Sequence, residues 1–500
     1  MAFLRPGVYV EETLNPVQPV AGATSQSIAT FVGENDRGPI NTPTLVTSWS
    51  QFTTTFGSWN TYTNNNLALA VYMFFSNGGS QAYIVRVANA PATASRSLND
   101  RAVSPSATLQ IQAKNAGRWG NNLNVSISNS VTAGYFDLTI YSNGTSDSDV
   151  VETFAQLSMT ASDARYAPAL VNPLSNYVTL TDLNSANTGS TRNPAVVANQ
   201  TLAGGTTGSA ITTSEIGLGL SALDIIKQSL ILNVPGYTAA SVVNTATNYA
   251  ESRDDVFVIV DGADTDSTSQ LALCAQYTAT SLAAVYYPAL TISDPTLPLG
   301  SSTGRTLTVG AGGAVAGLFS ATDASRGVFK APAGLQARLA GVVSTRQLTN
   351  SQLDSLNSAN APANAIRFIP GSGYVVMGSR TLKAGYIDKY VPVRRSLIYL
   401  RKSLIELTEF AIFEPNNEAL WRQMKAATTS FLTKFWSEGG LRGASPAEAF
   451  FVKCDAENNP QYLIDNGEVH IEVGVALQRP AEFVVIKIGQ FDGGTTVTVA

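Results

Sequence analysis

The chain has 500 residues, of which 44% are hydrophobic and 13% charged, and its formal net charge at pH 7 is −5. This length exceeds what one hydrophobic core usually organises, so three or more domains are expected. The acidic balance excludes a basic footprint for nucleic acid over the whole molecule. So little charge indicates either a surface largely covered in an assembly or a weakly charged soluble protein.

Cysteine usage and the lack of long apolar runs bear on the cellular compartment. Cys274 and Cys454 are far apart in the sequence and are expected to be reduced thiols. The first residues lack the apolar stretch of a signal peptide, and no run reaches the ~18 apolar residues of a membrane span. We therefore expect synthesis in the cytoplasm and no direct membrane insertion.

Both ends of the chain are predicted to be extended arms, covering residues 1–20 and 491–500. The N-terminal arm holds a short strand-like run made of Val8, Tyr9, Val10 and Glu11. Beyond the joint Gly493-Gly494, a period-two alternation includes Thr495, Val497 and Val499. Because terminal strands have few local neighbours, they are predicted to pair elsewhere, and a frayed terminus is the alternative interpretation.

The next two segments differ in their periodicity. Residues 21–94 predict an α/β segment with strands at Ile28–Gly33 and Ala82–Val87 and a helix at Leu67–Phe75. Residues 95–203 instead contain short β runs separated by Asn, Ser, Gly and Asp. That pattern predicts a small β-sandwich inserted between α/β parts.

Residues 204–378 return to alternating strands and helices. The almost continuous apolar run Asp255–Val260 is typical of a parallel strand covered on both faces. A helix is predicted at Ser267–Thr280, a strand at Ala283–Tyr287, and a loop over the Gly-rich stretch Gly300–Gly313.

Residues 379–490 are predicted to form a second α/β region with two amphipathic helices. Their apolar stripes indicate core packing and not a cofactor site. The stripes comprise Leu397, Leu400, Leu404 and Leu407 on the first helix, and Leu420, Met424, Phe431 and Phe435 on the second.

Few residues could carry catalysis or bind a metal. His470 is the only histidine, and no Gly-x-Ser-x-Gly or phosphate-loop motif is present. One histidine and two isolated cysteines cannot supply the four ligands of a zinc site. Asp261, Asp264 and Asp266 cluster after a strand, but their spacing does not fit an EF-hand, so a solvated turn is preferred. We predict no catalytic residue, no cofactor and no metal.

A basic run interrupts the otherwise acidic chain between residues 367 and 402. It holds eight basic side chains and one acid, Asp388. The run is either a solvated face or a docking surface for an acidic partner, since complementary charge fixes the register of an interface. The eight are Arg367, Arg380, Lys383, Lys389, Arg394, Arg395, Arg401 and Lys402.

Motifs distributed in order through nearly the whole chain resemble those of contractile phage tail sheath proteins. The N-terminal and middle motifs are Pro6-Gly7-Val8-Tyr9-Val10-Glu11-Glu12, Phe31-Val32-Gly33, Asn77-Gly78-Gly79, Gly117-Arg118-Trp119-Gly120-Asn121-Asn122-Leu123, Glu251-Ser252-Arg253-Asp254-Asp255-Val256-Phe257 and Asp323-Ala324. The C-terminal motifs are Val393-Arg394-Arg395, Phe413-Glu414-Pro415-Asn416-Asn417 and Pro480-Ala481-Glu482-Phe483-Val484.

This resemblance implies an α/β multidomain fold and a structural role. The expected parts are an α/β core domain formed by residues 21–94 and 379–490, an inserted β-sandwich, a subtilisin-like α/β middle domain (204–378) without a catalytic triad, and extended terminal arms. Hexameric rings would stack around an inner tail tube protein, with arms exchanged between subunits, and would contract to drive the tube through a target envelope. Baseplate and tail terminator proteins are further expected partners, with no nucleic acid bound. The expected location is the virion tail.

The resemblance also assigns the C-terminal part to the inner layer of the sheath, so the basic run is predicted to face the tube. Lys383, Lys389, Arg401 and Lys402 are the predicted contacts, whereas Arg394 and Arg395 are candidates for internal partners.

Three alternatives stay open at this point: the sheath of a non-phage contractile injection system, a hydrolase built on the middle domain, and a nucleic-acid-binding module on the basic run. The absence of histidine between residues 204 and 378 argues against the hydrolase, and the net charge argues against the nucleic-acid module.

Overall fold

The computed structural model describes residues 27–59, 65–297, 305–385 and 389–482. Both predicted arms lie outside these residues, and with them the strand-exchange candidates Val8, Tyr9, Val10, Glu11, Thr495, Val497 and Val499. No helix within the described ranges is long and apolar enough to cross a membrane.

Residues 28–87 contain the two strands and the helix that the sequence predicts, and a further strand and helix lie between them. Its elements are β1 (Ile28–Glu34), β2 (Thr44–Val46), α1 (Trp49–Phe56), α2 (Asn66–Ser76) and β3 (Ala82–Val87). Helix α2 is apolar nearly all round and ends where Gly78 adopts a positive φ of 92°. A helix of this composition is buried on several sides, which sets its place inside the main core.

Residues 95–201 form two antiparallel sheets around a hydrophobic core of their own. The elements are β4 (Ser95–Asn99), β5 (Ala107–Ala113), β6 (Leu123–Asn129), β7 (Phe136–Ser142), β8 (Val150–Leu157), α3 (Ala167–Leu174), β9 (Val178–Asp182) and β10 (Val197–Thr201). The strand orders are β4-β5-β9 and β10-β6-β7-β8. Period-two alternation buries one face of each sheet, with Leu109 and Ile111 from one and Val125 and Ile127 from the other.

The middle of the chain supplies most of the largest sheet. Its elements are α4 (Thr213–Ser221), β11 (Leu230–Asn233), α5 (Ala240–Arg253), β12 (Val256–Asp261), α6 (Ser267–Cys274), β13 (Ala283–Tyr287), β14 (Leu290–Ser293), β15 (Thr306–Val309), α7 (Gly312–Arg326), β16 (Val342–Thr345), α8 (Asn350–Ser358), β17 (Ala363–Ile369) and β18 (Gly373–Val376). The predicted loop at Gly300–Gly313 therefore contains β15 and the start of α7.

The largest sheet has eight strands in the order β18-β17-β13-β12-β11-β1-β3-β2. Its six inner strands are parallel, and β18 and β2 are antiparallel edges. Strand β1 pairs with β11, so residues 28–87 share a sheet with the middle of the chain. Strand β1 is buried on both faces, as is typical of an inner strand of a parallel sheet, and β3 and β11 flank it. The expected core domain that unites residues 21–94 with residues 379–490 stays a prediction.

The C-terminal part consists of long helices packed on a small sheet. Its elements are α9 (Val391–Thr408), α10 (Glu418–Ser437), α11 (Pro446–Ala449), β19 (Phe450–Lys453), α12 (Gln461–Asp465) and β20 (Glu472–Val475). Helix α9 joins two cores, because Val391 and Ile398 pack in the main core and Leu400 packs with Leu432 and Phe435 in a separate C-terminal cluster.

Helices α2 and α7 approach closely through glycines on α7. A Cβ atom on Gly313 would lie 2.2 Å from the carbonyl oxygen of Ala70, and one on Gly317 would lie 2.5 Å from that of Phe74. The abundance of glycine predicts a loop in this region. In the structure, Gly313 and Gly317 lie one helical turn apart on the same face of α7, and their lack of side chains allows the two helices to approach closely.

We expect alanine at Gly313 to lower the free energy of unfolding by about 1–3 kcal/mol, because its Cβ overlaps backbone atoms of α2. Gly217 on α4 is the matched control, since a Cβ there meets nothing within 4 Å. Alanine at Gly217 is expected to stabilise the protein by about 0.5–1 kcal/mol. Urea unfolding of the three proteins measures the difference, and equal effects at both positions would contradict the close packing of α2 and α7.

Candidate assembly surfaces and ion-pair network

The two residues considered for catalysis, His470 and Asp261, both interact with other groups of the chain. His470 Nε2 lies 3.1 Å from Glu468 Oε2 on an exposed surface. Asp261 is buried at the end of β12, where its carboxylate accepts hydrogen bonds from Gly236 N (2.9 Å) and Gly312 N (2.6 Å). Burial raises the pKa of Asp261, and these hydrogen bonds oppose the rise. Asp261 therefore fastens the start of α7 to the sheet.

The two neighbouring acids are not brought together with Asp261. Asp266 caps the N-terminus of α6 by accepting from Thr268 N and Ser269 N. Asp264 is exposed, with its Oδ1 3.7 Å from Arg346 Nη2. In the part of the chain that the structure describes, no group of three or more His, Cys, Asp or Glu side chains could hold a metal ion.

Strands β19 and β20 form an isolated two-stranded antiparallel sheet with an apolar groove beside it. The register pairs Phe450 with Val475 and Lys453 with Glu472. Within the described residues, each strand pairs only with the other. The groove has a volume of about 410 Å³ and its apolar lining consists of Leu397, Leu400, Leu404, Ile405, Ile471, Val473 and Val475.

Among the described residues, five of the eight basic side chains in the predicted run pair with acids that are distant in the sequence. The pairs are Arg380–Glu482, Arg394–Asp254, Arg395–Asp323, Arg401–Asp254 and Lys402–Asp255. Most of the run therefore connects parts of one subunit. Sequence reasoning missed the acids because they lie 72 to 147 residues from their partners, although two of the resembling motifs contain Asp254, Asp255 and Asp323.

Helix α9 is held at the turn between α5 and β12 by side chains from its first three turns. Helix α5 ends at Asp254, which adopts a left-handed conformation with φ 65°. This turn presents Asp254 and Asp255 to α9, where Arg394 Nη2 lies 3.1 Å from Asp254 Oδ1 and Lys402 Nζ lies 3.6 Å from Asp255 Oδ2. Arg401 also contacts Asp254. Arg401 and Lys402, which are among the predicted tube contacts, thus take part in ion pairs within the chain.

The other two predicted tube contacts lie on the segment before α9. Lys383 and Lys389 line a small cavity of about 50 Å³ together with Arg380 and Thr381. Lys389 Nζ lies 5.0 Å from the centre of the Tyr390 ring, a cation–π distance. The four predicted tube contacts therefore form two groups, a loop pair (Lys383 and Lys389) and a helix pair (Arg401 and Lys402).

Arg395 is buried between α9 and α7. It contacts both carboxylate oxygens of Asp323, with Nη1 2.9 Å from Oδ1, and its guanidinium lies 4.7 Å from the Phe319 ring. The side chains of the pair are only 2% and 3% exposed. The pair is shielded from water and links the C-terminal part to the main core. Removing only one of the two side chains would leave an unpaired buried charge and would lower the stability of the protein.

The two-sheet region of residues 95–201 is joined to the main sheet through Arg37. Its guanidinium lies between two rings of that region, 4.8 Å from Trp119 and 4.4 Å from Tyr177. The neighbouring Asp36 accepts a hydrogen bond from Arg118 N at 2.9 Å. Burial raises the pKa of Asp36, and the hydrogen bonds from the backbone oppose the rise. These contacts hold the two parts of the subunit in one orientation.

Comparison with known proteins points to one family. Residues 389–490 match the profile of the phage tail sheath C-terminal domain. A tail sheath protein of Vibrio phage KVP40 is 27% identical over 179 residues, which are 35% of this chain. The matched stretch spans only 25% of that relative's length.

Solved structures resemble the chain over most of its length. The sheath of the anti-feeding prophage, in its contracted helical state, is similar with a TM-score of 0.61 at 21% identity and covers 98% of this chain and 100% of its own. The sheath tail protein of Desulfitobacterium hafniense is similar with a TM-score of 0.61 at 14% identity, covering 90% of this chain and 94% of its own. At these identities the likeness establishes the fold, a mixed α/β architecture with several sheets.

Proposed function

We propose that the chain is a member of the tail sheath family, whose members are structural proteins and not enzymes, and that it is the repeating subunit of a contractile sheath. In this proposal, subunits form hexameric rings that stack around an inner tube, and contraction drives the tube through a target envelope. The rings end on baseplate and tail terminator proteins. The subunit is made in the host cytoplasm and works in a phage tail, where contraction precedes DNA ejection. A non-phage injection system is the alternative setting for the same mechanics.

The observation that carries the proposal is the two-stranded sheet of β19 and β20 with its apolar groove. An exposed sheet edge accepts a further strand through backbone hydrogen bonds, and alternate side chains of that strand enter neighbouring pockets. The N- and C-terminal arms would supply such strands, since the sequence predicts that Val8 and Val10, or Val497 and Val499, share one face of a period-two strand. Arms of neighbouring subunits would then extend this sheet.

Strand exchange of this kind suits an assembly that must move without falling apart. Each backbone hydrogen bond contributes roughly 0.5–1.5 kcal/mol, so one added strand is a weak joint. Several joints per subunit in a closed lattice act together and raise the overall stability. Because the arms are tethers, subunits can change orientation while the added strands stay paired.

We also propose finer assignments for the parts of the subunit. Residues 95–203 would be the inserted β-sandwich, and residues 204–378 the subtilisin-like domain without a catalytic triad. The inner layer facing the tube would be formed by residues 379–490, with the loop pair Lys383 and Lys389 as contacts to an acidic tube surface. Exposed ion pairs contribute only about 0–1 kcal/mol each, so they separate readily when subunits move outward.

The test is removal of either arm. Protein lacking residues 1–15 or residues 493–500 is expected to stay soluble and to melt cooperatively, but to form no tubes by negative-stain electron microscopy and sedimentation. The sharper pair of variants changes one face of the C-terminal strand at a time. Val497→Asp with Val499→Asp places charge in the groove and is expected to abolish tubes, whereas Thr496→Asp with Thr498→Asp faces away and serves as the control. Normal tubes from both arm deletions would refute the proposal.

A further inference from the structure

The turn between α9 and α10 carries two neighbouring apolar side chains on the protein surface. Phe413 is fully exposed (103%) and Ile412 is 62% exposed. Phe413 also adopts a left-handed conformation with φ 67°, which is unfavourable for a residue with a bulky side chain. The ring therefore contributes nothing to the packing of its own subunit. Exposed aromatic side chains of this kind are typical of anchors that fill a pocket on a partner protein.

A cavity walled by aromatic rings lies between the end of α7 and the C-terminal part. Its volume is about 520 Å³, and Phe329, Tyr399 and Phe435 line it. The centre of the Phe435 ring lies 5.8 Å from that of Phe329 and 5.6 Å from that of Tyr399. Rings at such separations attract each other beyond the gain from burial. The volume falls within the range of pockets that hold small molecules, so a further aromatic ring fits.

The exposed ring and the cavity lie at opposite ends of α10. Phe413 precedes the first residue of this helix, Glu418, whereas Phe435 is in its last turn. At 1.5 Å per residue, Glu418 and Phe435 are separated by roughly 25 Å along the helix axis. Phe413 therefore reaches this cavity only in another copy of the chain. Such a contact joins two different surfaces, so it repeats from copy to copy and builds a ring or a helical filament.

Charges near the two surfaces orient this contact. Residues 409–418 include three glutamates and no basic residue, and all three glutamates are exposed. The residues that line the cavity include one exposed base, Arg326, and one exposed acid, Glu438. Complementary charge fixes the register of an interface. Glu414, next to the exposed ring, is therefore expected to lie towards Arg326 and away from Glu438.

We propose that the α9–α10 turn of one subunit docks in the aromatic cavity of a second copy, with Phe413 as the anchor. The contact joins the C-terminal parts of neighbouring subunits head to tail and uses only side chains that the structure describes. This inference rests on the proposed function, because it adds a second contact to the same assembly. Strand exchange would tether the neighbours, and the anchored turn would fix how their C-terminal parts are oriented.

Cross-linking of assembled protein tests which surfaces meet. The variant Ile412→Cys with Ser325→Cys keeps Phe413 and places one thiol beside the ring and one at the cavity. A short bismaleimide is expected to give a series of covalent multimers on a denaturing gel, because every subunit offers both surfaces. A mixture of the two single variants is expected to stop at dimers. The native cysteines are buried, and Val103→Cys with Ser325→Cys, which uses another fully exposed position (105%), is the control expected to give no multimers.

The variant Phe413→Gly separates the docking role of the ring from any role in folding. We expect the critical concentration for tube formation to rise about ten- to a hundred-fold, which corresponds to the lost burial of one phenylalanine. The free energy of unfolding is not expected to fall, because glycine adopts this left-handed conformation without strain. Val103→Ala also removes a fully exposed apolar side chain and is expected to change neither quantity. Normal assembly of Phe413→Gly, or an equal defect in Val103→Ala, would overturn the proposal.

Charge exchange tests the orientation of the docked turn. Arg326→Glu is expected to weaken assembly, and Arg326→Glu with Glu414→Arg to restore it in part; a double variant no better than the single one would overturn the orientation. Tubes that form normally without the 412–325 cross-link would overturn the docking itself. Residues 1–26, which precede Ser27 at the cavity wall, would then be the next candidate occupant. Failure of the unmodified protein to form tubes would instead refute the proposed sheath function.

Discussion

Arg395→Ala is expected to lower the free energy of unfolding by about 3–5 kcal/mol, the cost of leaving one member of a buried ion pair without its partner. The remaining Asp323 carboxylate would stay buried among atoms that cannot solvate it, because the pair is almost fully shielded from water. The loss also removes the guanidinium from the Phe319 ring. Urea denaturation followed by tryptophan fluorescence measures the change.

Two further variants separate charge from packing at this position. Asp323→Ala is expected to be as destabilising as Arg395→Ala, since it strands the positive charge instead. The double variant Arg395→Met with Asp323→Leu removes both charges and keeps most of the volume, so it is expected to be close to the unmodified protein in stability. A cost below about 1 kcal/mol for either single alanine variant would show that the pair does not link α9 to α7 as described.

Reversing Lys383 and Lys389 to glutamate is expected to abolish assembly on the inner tube while leaving the subunit folded. This follows from the proposal that the loop pair contacts an acidic tube surface, where complementary charge fixes register. The measurement is electron microscopy of sheath assembled with and without the tube protein. Sheath that still forms around the tube at normal length would refute the assignment.

Reversing Arg401 and Lys402 gives a different expected result and serves as the comparison. Both are paired with Asp254 and Asp255, so glutamate at these positions would bring like charges together. We expect a stability loss of about 1–2 kcal/mol, limited because Arg401 is half-exposed and screened by solvent. A loss of tube-dependent assembly without any loss of subunit stability would instead indicate that Arg401 and Lys402 contact the tube.

Local elements were predictable where their periodicity was strong. Strands β1, β3 and β13 and helix α2 were predicted within one residue of their bounds, and the apolar stripes of α9 and α10 lie within those helices. The helix predicted at Ser267–Thr280 ends earlier, at Cys274, because the chain then turns towards β13. The Gly-rich stretch was predicted as a loop, since glycine has a low helix propensity. In the structure, glycine is favoured at the start of α7 because only a residue without a side chain lets α7 approach α2 so closely.

The sequence by itself determined the alternation of the elements, the apolar faces and the resemblance to tail sheath proteins, because these depend on neighbouring residues and short motifs. Only the tertiary structure decided which acids meet the basic run and where β1 lies in the sheet. A charged side chain pairs with whatever the fold brings within a few ångströms, and Asp254, Asp323 and Glu482 come from three distant parts of the sequence. An apolar strand likewise needs neighbours on both edges, but its composition does not say which strands they are.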